Sequence, residues 1–410
     1  MRRVLTTFDA TCIGVNAIVG SGIYLFPGKL QGALGPSSIV AWLLTGVLCL
    51  PLALTFAALG SIEARSGASF RYAQAAFGTS VGFVVGWSAW VTSLLSWAAV
   101  ASGVPRDLGA FADGHDQGLA ARVISALDIL GYGGLNVVGV KLGARLTDAL
   151  TIGKLVPLAV FVLVGLFAWN GERFHPFTVD GIGAMPTMLL MTMFAYQGFE
   201  VVGAPAGEVR DPERAIPRGV IGSVLLAALL YVLVQIVFVG VGGSATAAPL
   251  PDAARLFLGG FGGSVLAMGG LISMLGFNAG TALCTPRYVQ ALAEERLVPP
   301  ALARPHRRFD TPAFAIGLSA LLAAVLALLL DFESLVDLAV LAVLGQYLAS
   351  SAALVRLGRT TRLKLLGLVS IVISVGFGLQ CTIAQFQALG AVMVVGVLIA
   401  VGSRLSFRPA

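Results

Sequence analysis

The sequence predicts an all-α integral membrane protein with about twelve transmembrane helices. Of its 410 residues, 57% are hydrophobic and only 11% are charged, whereas soluble domains carry roughly 25% charged residues. Many apolar runs reach the length of about 20 residues that a helix needs to cross a bilayer. Two of these runs, the first and the sixth, are interrupted by glycine and polar residues. These observations define both the fold class and the place where function is expected.

The predicted spans follow one another with short connections. Ile62 to Gly78 is polar enough to lie at the membrane interface. No cleavable signal peptide is expected, because the first apolar run continues beyond signal length. The twelve spans cover about 9–32, 37–60, 80–104, 119–139, 147–169, 184–207, 216–243, 255–284, 312–330, 334–355, 363–383 and 386–403.

The net charge of +6 is explained by membrane topology rather than by nucleic acid binding. Twenty of the 26 Lys and Arg residues lie in one set of alternate loops, five lie in the other set, and Lys154 lies within a span. Basic residues are retained on the cytoplasmic side. We therefore expect a multi-pass protein of the cytoplasmic (inner) membrane with both termini in the cytoplasm.

Cysteine and histidine give no sign of a metal site or a cofactor. Cys12, Cys49, Cys284 and Cys381 lie in or at the ends of apolar spans without paired spacing, and the three histidines are scattered in loops. Free buried thiols are the expected state. Too few Asp, Glu, His and Cys residues lie in the spans to make a membrane enzyme plausible.

The first span contains the stretch Gly14 to Gly28, GVNAIVGSGIYLFPG, with Gly20, Ser21 and Gly22 in its middle. Glycine weakens a helix, and serine competes for backbone hydrogen bonds. A broken helix is tolerated in a membrane only where it faces protein or a watery cavity. The stretch therefore predicts a ligand site built from free backbone groups. The alternative is that the small residues let two helices pack closely.

The sixth span repeats this pattern as TMFAYQGFEVVGAPAGE, with Gln197, Gly198 and Glu200 in its middle. Breaks in the first and sixth helices predict two inverted halves of five helices each. The transport core then covers 1–356, with one repeat at about 9–169 and another at about 184–355. Residues 357–410 supply two further transmembrane helices and a short tail.

Four motifs in order resemble those of the amino acid–polyamine–organocation transporter superfamily. They are GSGI (Gly20 to Ile23), FAYQGFE (Phe194 to Glu200), GEVRDPERAIPR (Gly207 to Arg218) and TPRYVQALAEERLVP (Thr285 to Pro299). The resemblance covers nearly the whole chain. It implies a leucine-transporter-like fold with discontinuous helices 1 and 6, and the transport of amino acids across the bilayer.

The resemblance also implies a substrate site at the two breaks. Free amides after the first break would hold the substrate carboxylate, and free carbonyls of both breaks would face its ammonium group. Phe194 resembles an aromatic gate, although ordinary core packing would explain it equally well. The implied substrate-binding residues are Ile18, Val19, Gly20, Ser21, Gly22, Ile23, Phe194, Ala195, Gln197 and Gly198.

Two charges inside spans need an explanation, because each costs about 2.5–3.5 kcal/mol on insertion scales. Lys154 either snorkels to the interface or replaces the sodium ion of sodium-coupled relatives and carries a proton. Asn278 and Thr281 are its candidate neighbours. Glu200 either caps the half-helix that follows the break or couples to transport. Tyr347 is a candidate for gating the outer side.

These residues predict a secondary transporter that moves a neutral amino acid by alternating access and is coupled to protons through Lys154. The third span offers hydroxyls but no acidic residue for a cationic substrate. Exchange of substrates without ion coupling is the alternative, and a non-transporting sensor or subunit is a remote one. The expected partners are the amino acid, the proton and the lipid bilayer.

Overall fold

The computed structural model describes residues 3–109, 118–178, 183–246 and 248–380, with scattered positions between 383 and 396. Most of these residues lie in helices, which are joined by short turns and irregular segments. The one strand-like contact in this part of the protein is an isolated bridge between Leu5 and Val209. The expectation of an all-α protein is therefore confirmed.

The first half of the chain begins with a capped helix. Thr6 and Asp9 form a reciprocal capping box at the start of α1, which satisfies two of the free amides at that end. The helices of this half are α1 (Thr7–Ile18), α2 (Gly22–Leu34), α3 (Ser38–Ile62), α4 (Ser69–Phe77), α5 (Thr79–Gly109), α6 (Gly118–Val138) and α7 (Val140–Ala168).

The second half contains the longest helix of the described chain. This helix, α10, bends at Gly259, where φ is 65°. The helices of this half are α8 (Met185–Tyr196), α9 (Pro212–Gly240), α10 (Pro249–Glu294), α11 (Ala313–Leu329), α12 (Phe332–Leu357) and α13 (Thr361–Gly378).

Helix is present at each of the first eleven predicted spans, and α4 occupies the predicted interfacial stretch. Seven helical segments of the described chain are long and apolar enough to cross a membrane individually. The twelfth predicted span, 386–403, falls largely outside the described residues, as does Cys381. The count of twelve and the inverted repeat therefore stay predictions.

The sixth span differs from the expectation. An α-helical half was expected after the second break, but the structure has two 3₁₀ turns, Phe199–Gly203 and Ala206–Glu208. The chain turns at Gly198, where φ is 122°. Pro205, between the two turns, has no N–H to continue a helix. The residues after the second break are therefore held in short turns rather than in a regular helix.

Helix α1 lies at the centre of the bundle, where it packs against α7, α9 and the first 3₁₀ turn. Helix α10 packs against α5 and α7, and α3 packs against α9. An aromatic cluster fills the space near α1, with the rings of Trp42 and Tyr231 4.7 Å apart. The outer surface of the bundle carries many exposed apolar side chains, as expected for side chains that face lipid. Phe167, for example, is 93% exposed.

The chain before α1 is tied to the segment that follows the second break. The amides of Val4 and Leu5 both donate to the carbonyl of Glu208, at 2.8 and 2.9 Å, and the amide of Arg210 donates to Leu5. The Glu208 carboxylate also pairs with Arg287 of α10 at 3.1 Å, and both side chains are 0% exposed. We call these contacts the Glu208 junction.

Candidate functional site

The first span is interrupted between Ile18, where α1 ends, and Gly22, where α2 begins. The amide of Gly20 turns back to the carbonyl of Ile18 at 2.8 Å. The amides of Ser21, Gly22 and Ile23 have no hydrogen-bond partner among the described residues. They lie at the positive end of the α2 dipole, so this position suits an anion.

The second break lies directly against the first. A Cβ on Gly198 would stand 2.6 Å from the carbonyl carbon of Ala17, and a Cβ on Gly22 would stand 2.9 Å from the Cβ of Ala195. At neither place is there room for a larger residue without displacement of the backbone. Glycine therefore allows the two interrupted helices to meet at one level.

The hydroxyl of Tyr231, on α9, joins the two breaks. It lies 2.7 Å from the carbonyl oxygen of Ile18 and 3.0 Å from that of Ala195, and Tyr231 is fully buried. A hydroxyl has one proton to donate, so its hydrogen bond is shared between two acceptors or alternates between them. Tyr231 therefore fixes the spacing between the ends of α1 and α8.

Lys154 does not snorkel to the interface. Its side chain is 0% exposed, and its Nζ donates to the carbonyl oxygens of Asn16 at 2.8 Å and Val19 at 2.6 Å. Ser273 of α10 donates to the same Val19 oxygen at 3.0 Å. Three helices thus meet at the end of α1, with a cation at the point where the first break leaves its carbonyls free.

The predicted neighbours of Lys154 on α10 are partly replaced. Asn278 donates instead to the carboxylate of Asp128 on α6, at 2.6 Å. Ser273, rather than Asn278, contacts the Val19 carbonyl beside Lys154. The two residues are five positions apart, which corresponds to a rotation of about 140° around the helix, so Asn278 points at another neighbour. Thr281 lines the central cavity described next, and no hydrogen bond joins it to Lys154 among the described contacts.

A cavity of about 100 Å³ lies beside the two breaks. This is several times the space that one water needs. Val19 and Ile23 do not line the cavity, whereas eight of the ten predicted substrate-binding residues do. They are Ile18, Gly20, Ser21, Gly22, Phe194, Ala195, Gln197 and Gly198. Their arrangement around one cavity is geometry, and their contact with a substrate stays a prediction.

Glu200 also lines this cavity. Its Oε2 accepts from the amide of Gly198 at 2.9 Å and from the hydroxyl of Tyr347 at 2.8 Å. The first contact is the kind of capping bond that the sequence predicts for Glu200. The second brings Tyr347 of α12 to the end of the broken helix, so the two predicted structural residues lie together.

Ion pairs lie at the end of the bundle where α10 terminates. Arg71 of α4 pairs with Glu294 at 2.6 Å and with Glu295 at 2.5 Å. The hydrogen bond from Arg71 holds the pKa of the Glu295 carboxyl below its ordinary value. Glu295 is therefore ionised at neutral pH, and the pair links α4 to the end of α10.

The family model described as amino acid permease matches residues 5–407. The chain belongs to the amino acid permease family. The resemblance noted in the four motifs is thereby confirmed over nearly the full length.

Relatives of this permease are named for different transport activities. The serine/threonine exchanger SteT of Bacillus subtilis is 29% identical over 360 residues, which cover 83% of this chain and 80% of the relative. The branched-chain amino acid permease BcaP of the same organism is 24% identical over 87% of this chain and 81% of its own. The methylthioribose transporter of that organism has the same identity and coverage as BcaP.

The sequence does not indicate that two further residues, Tyr231 and Ser273, contact the first break. Each is a polar side chain in an otherwise apolar helix, which is the signal that identified Lys154. A hydroxyl in a span is far less costly than a charge, so this signal is weak. Only the packing of α9 and α10 against α1 shows that both hydroxyls point at the first break.

No group of three or more His, Cys, Asp or Glu side chains in the described ranges has the geometry of a metal site. Next to the first break, Lys154 places a basic side chain against the backbone carbonyls of Asn16 and Val19.

Proposed function

We propose that this permease is a secondary transporter that moves a neutral amino acid by alternating access. The observation that carries the proposal is the cavity at two touching helix breaks, one of which presents three unpaired amides. The substrate carboxylate binds at the amides of Ser21 and Gly22, which line the cavity and where the α2 dipole adds positive potential. An unpaired amide in an apolar bundle favours such a ligand because its alternative is a lost hydrogen bond.

The ammonium group of the substrate binds on the side of the second break. The carbonyl oxygen of Val19 already accepts two hydrogen bonds, from Lys154 and Ser273. That of Ile18 accepts from Tyr231 and Gly20. A carbonyl has two lone pairs, so both are occupied. The carbonyl of Ala195 accepts only from Tyr231, and that of Gln197 accepts from no described residue, so these two are the better acceptors for a substrate.

Lys154 couples transport to a proton in this proposal. Its ammonium stands where sodium-coupled relatives of the fold are expected to bind their ion, and it binds two carbonyls as a metal ion would. Release of the proton weakens the attraction between α7 and the end of α1, because a neutral amine donates weaker hydrogen bonds than an ammonium group. Loading and unloading of Lys154 thereby changes how firmly the first broken helix is held, which is the element that must move.

Substrate exchange without ion coupling is the second candidate. It is supported by the activity for which the serine/threonine exchanger is named, at 29% identity. It is also supported by the two carbonyl acceptors of Lys154, because they favour the charged form, and a permanently charged lysine would replace a coupling ion without being replaced itself.

Uptake of labelled neutral amino acids into proteoliposomes tests both candidates. Wild type, Lys154→Ala and the control Lys141→Ala, which removes an exposed lysine from the same helix, are compared with and without an inward proton gradient. Stimulation by the gradient that is lost only in Lys154→Ala supports proton coupling. Uptake that requires internal amino acid and ignores the gradient supports exchange. Folded protein that moves no amino acid contradicts the transporter proposal.

A further inference from the structure

Two threonine hydroxyls in the cavity have no partner. Thr92 on α5 and Thr285 on α10 both line the cavity, and they are 4% and 0% exposed. Neither Oγ1 makes a hydrogen bond with any described residue. Buried polar atoms are almost always hydrogen-bonded, because an unpaired one costs free energy. Two such atoms on one cavity indicate that something else binds there.

The packing of α5 against α10 places these two threonines at one level. A Cβ on Gly86 would lie 3.0 Å from the side chain of Leu292, and a Cβ on Gly103 would lie 3.2 Å from the sulfur of Met274. The two helices therefore run antiparallel, and each step forward along α5 matches one step back along α10. At this register Thr92 lies level with Thr285, and both line the cavity.

This pair lies away from the first break. Gly20 is level with the ring of Phe277, from which a Cβ on Gly20 would be 3.9 Å distant. Thr285 follows Phe277 by eight residues, which at 1.5 Å per residue is about 12 Å along α10. A small amino acid held by its carboxylate at the first break does not reach that far. The pair lies toward the end of α10, on the predicted cytoplasmic side.

The charge of this part of the cavity selects the ligand. The acidic Glu200 lines the cavity, whereas none of its described lining residues is a lysine or an arginine. Acceptors next to a carboxylate suit a positively charged donor.

We propose that Thr92 and Thr285 form a second binding station, separate from the first break, for the ammonium group of the transported amino acid as it passes the end of the cavity nearest the α10 terminus. This proposal rests on the proposed function. The two hydroxyls accept hydrogen bonds from the ammonium group, and the carboxylate of Glu200 balances its charge. The station holds the substrate after it has left the breaks on that side, or before it reaches them.

The test uses full-length protein in proteoliposomes, and the orientation of the protein in the bilayer is determined from the access of a protease to the N-terminus. The half-saturating concentration of one transported neutral amino acid is measured separately from each face. The variant is the double substitution Thr92→Val and Thr285→Val, which removes both hydroxyls and keeps their shape. From the face where α10 ends, the half-saturating concentration should rise roughly tenfold, the effect of losing two modest hydrogen bonds. From the other face it should change less than about twofold.

Two controls separate the station from a general effect. Thr92→Ser with Thr285→Ser keeps both hydroxyls and should behave as wild type. Ser351→Ala removes another buried, unpaired hydroxyl that does not line the cavity, and should leave both faces unchanged. If the double valine variant does not fold, each single variant should give roughly a threefold rise on the same face.

The remaining outcomes overturn the proposal in distinguishable ways. An equal rise from both faces would assign the threonines to the central site. Unchanged values from both faces would mean that water alone satisfies the two hydroxyls. Wild-type protein that is folded and transports no amino acid would instead contradict the proposed function.

Discussion

The ammonium nitrogen of Lys154 lies 2.6 Å from the carbonyl oxygen of Val19, at the residue where the chain leaves α1. This oxygen also accepts from Ser273 at 3.0 Å. A charged donor contributes about 1.5–3 kcal/mol to such a bond and a neutral one about 1 kcal/mol. The end of α1 is therefore held mainly by α7 and secondarily by α10.

The shared acceptor predicts that Lys154 and Ser273 are energetically coupled. Ser273→Ala should lower the initial uptake rate by less than about tenfold, and Lys154→Met by more. The double variant should deviate from additivity by at least about 0.5 kcal/mol, because both side chains act on one oxygen. A double-mutant cycle of uptake rates measures this. Strict additivity would mean that the two donors act on separate steps.

Loss of the Tyr231 hydroxyl should loosen the contact between the two breaks. Tyr231→Phe removes the hydrogen bond to the carbonyls of Ile18 and Ala195, at a cost of about 1 kcal/mol. We expect a roughly fivefold rise in the half-saturating substrate concentration. Tyr196→Phe is the matched control, because its hydroxyl lies in the same aromatic cluster and binds Trp42 instead. Equal effects of both variants would show that general packing is responsible.

Gly198 should not tolerate a side chain. Its φ of 122° is unfavourable for any other residue, and a Cβ would lie 2.6 Å from Ala17. Gly198→Ala should cost about 1–3 kcal/mol of stability, seen as a lower melting temperature in detergent and as loss of uptake. Gly134→Ala, in α6 with open space around its Cβ position, should be neutral or slightly stabilising. A wild-type melting temperature for Gly198→Ala would mean that the backbone at the second break rearranges to accommodate the side chain.

Acid should weaken the pair between Arg71 and Glu295. The folded-state pKa of Glu295 is lowered by the hydrogen bond from Arg71. The ion pair therefore contributes its full free energy of stabilisation at pH values above 4.5, the ordinary pKa of a glutamate. This contribution is lost as the pH falls from 4.5 toward the folded-state pKa of Glu295. Melting temperatures between pH 7 and pH 3 should fall less steeply for Glu295→Gln than for wild type.

The control for this measurement is Glu213→Gln, which alters an exposed glutamate at the start of α9. It should follow the wild-type curve. A Glu295→Gln curve that coincides with wild type would show that the pair does not contribute to acid stability.

The local features of the fold could be predicted from the sequence. Gly20 and Gly198 identify both breaks, because glycine is unfavourable in an apolar helix unless the backbone must bend or approach closely. Lys154 stands out because a charge in a span is costly. Each of these signals depends only on a residue and its immediate neighbours.

Contacts between distant helices could not be predicted in the same way. Asn278 and Ser273 lie on one helix, and only the rotation of α10 decides which of them faces Val19. The same holds for Tyr231, whose contact with Ile18 depends on the register of α9 against α1. The register and rotation of these helices depend on packing throughout the bundle. They therefore cannot be predicted from any single stretch of sequence.

The Glu208 junction has a mechanical consequence. Backbone hydrogen bonds attach Val4 and Leu5, just before α1, to the turn that follows the second break, and a buried ion pair attaches that turn to Arg287. The start of α1 is therefore attached to this turn and, through it, to α10. A movement of α1 at this end either takes the turn and the end of α10 with it or requires the hydrogen bonds of the Glu208 junction to break together.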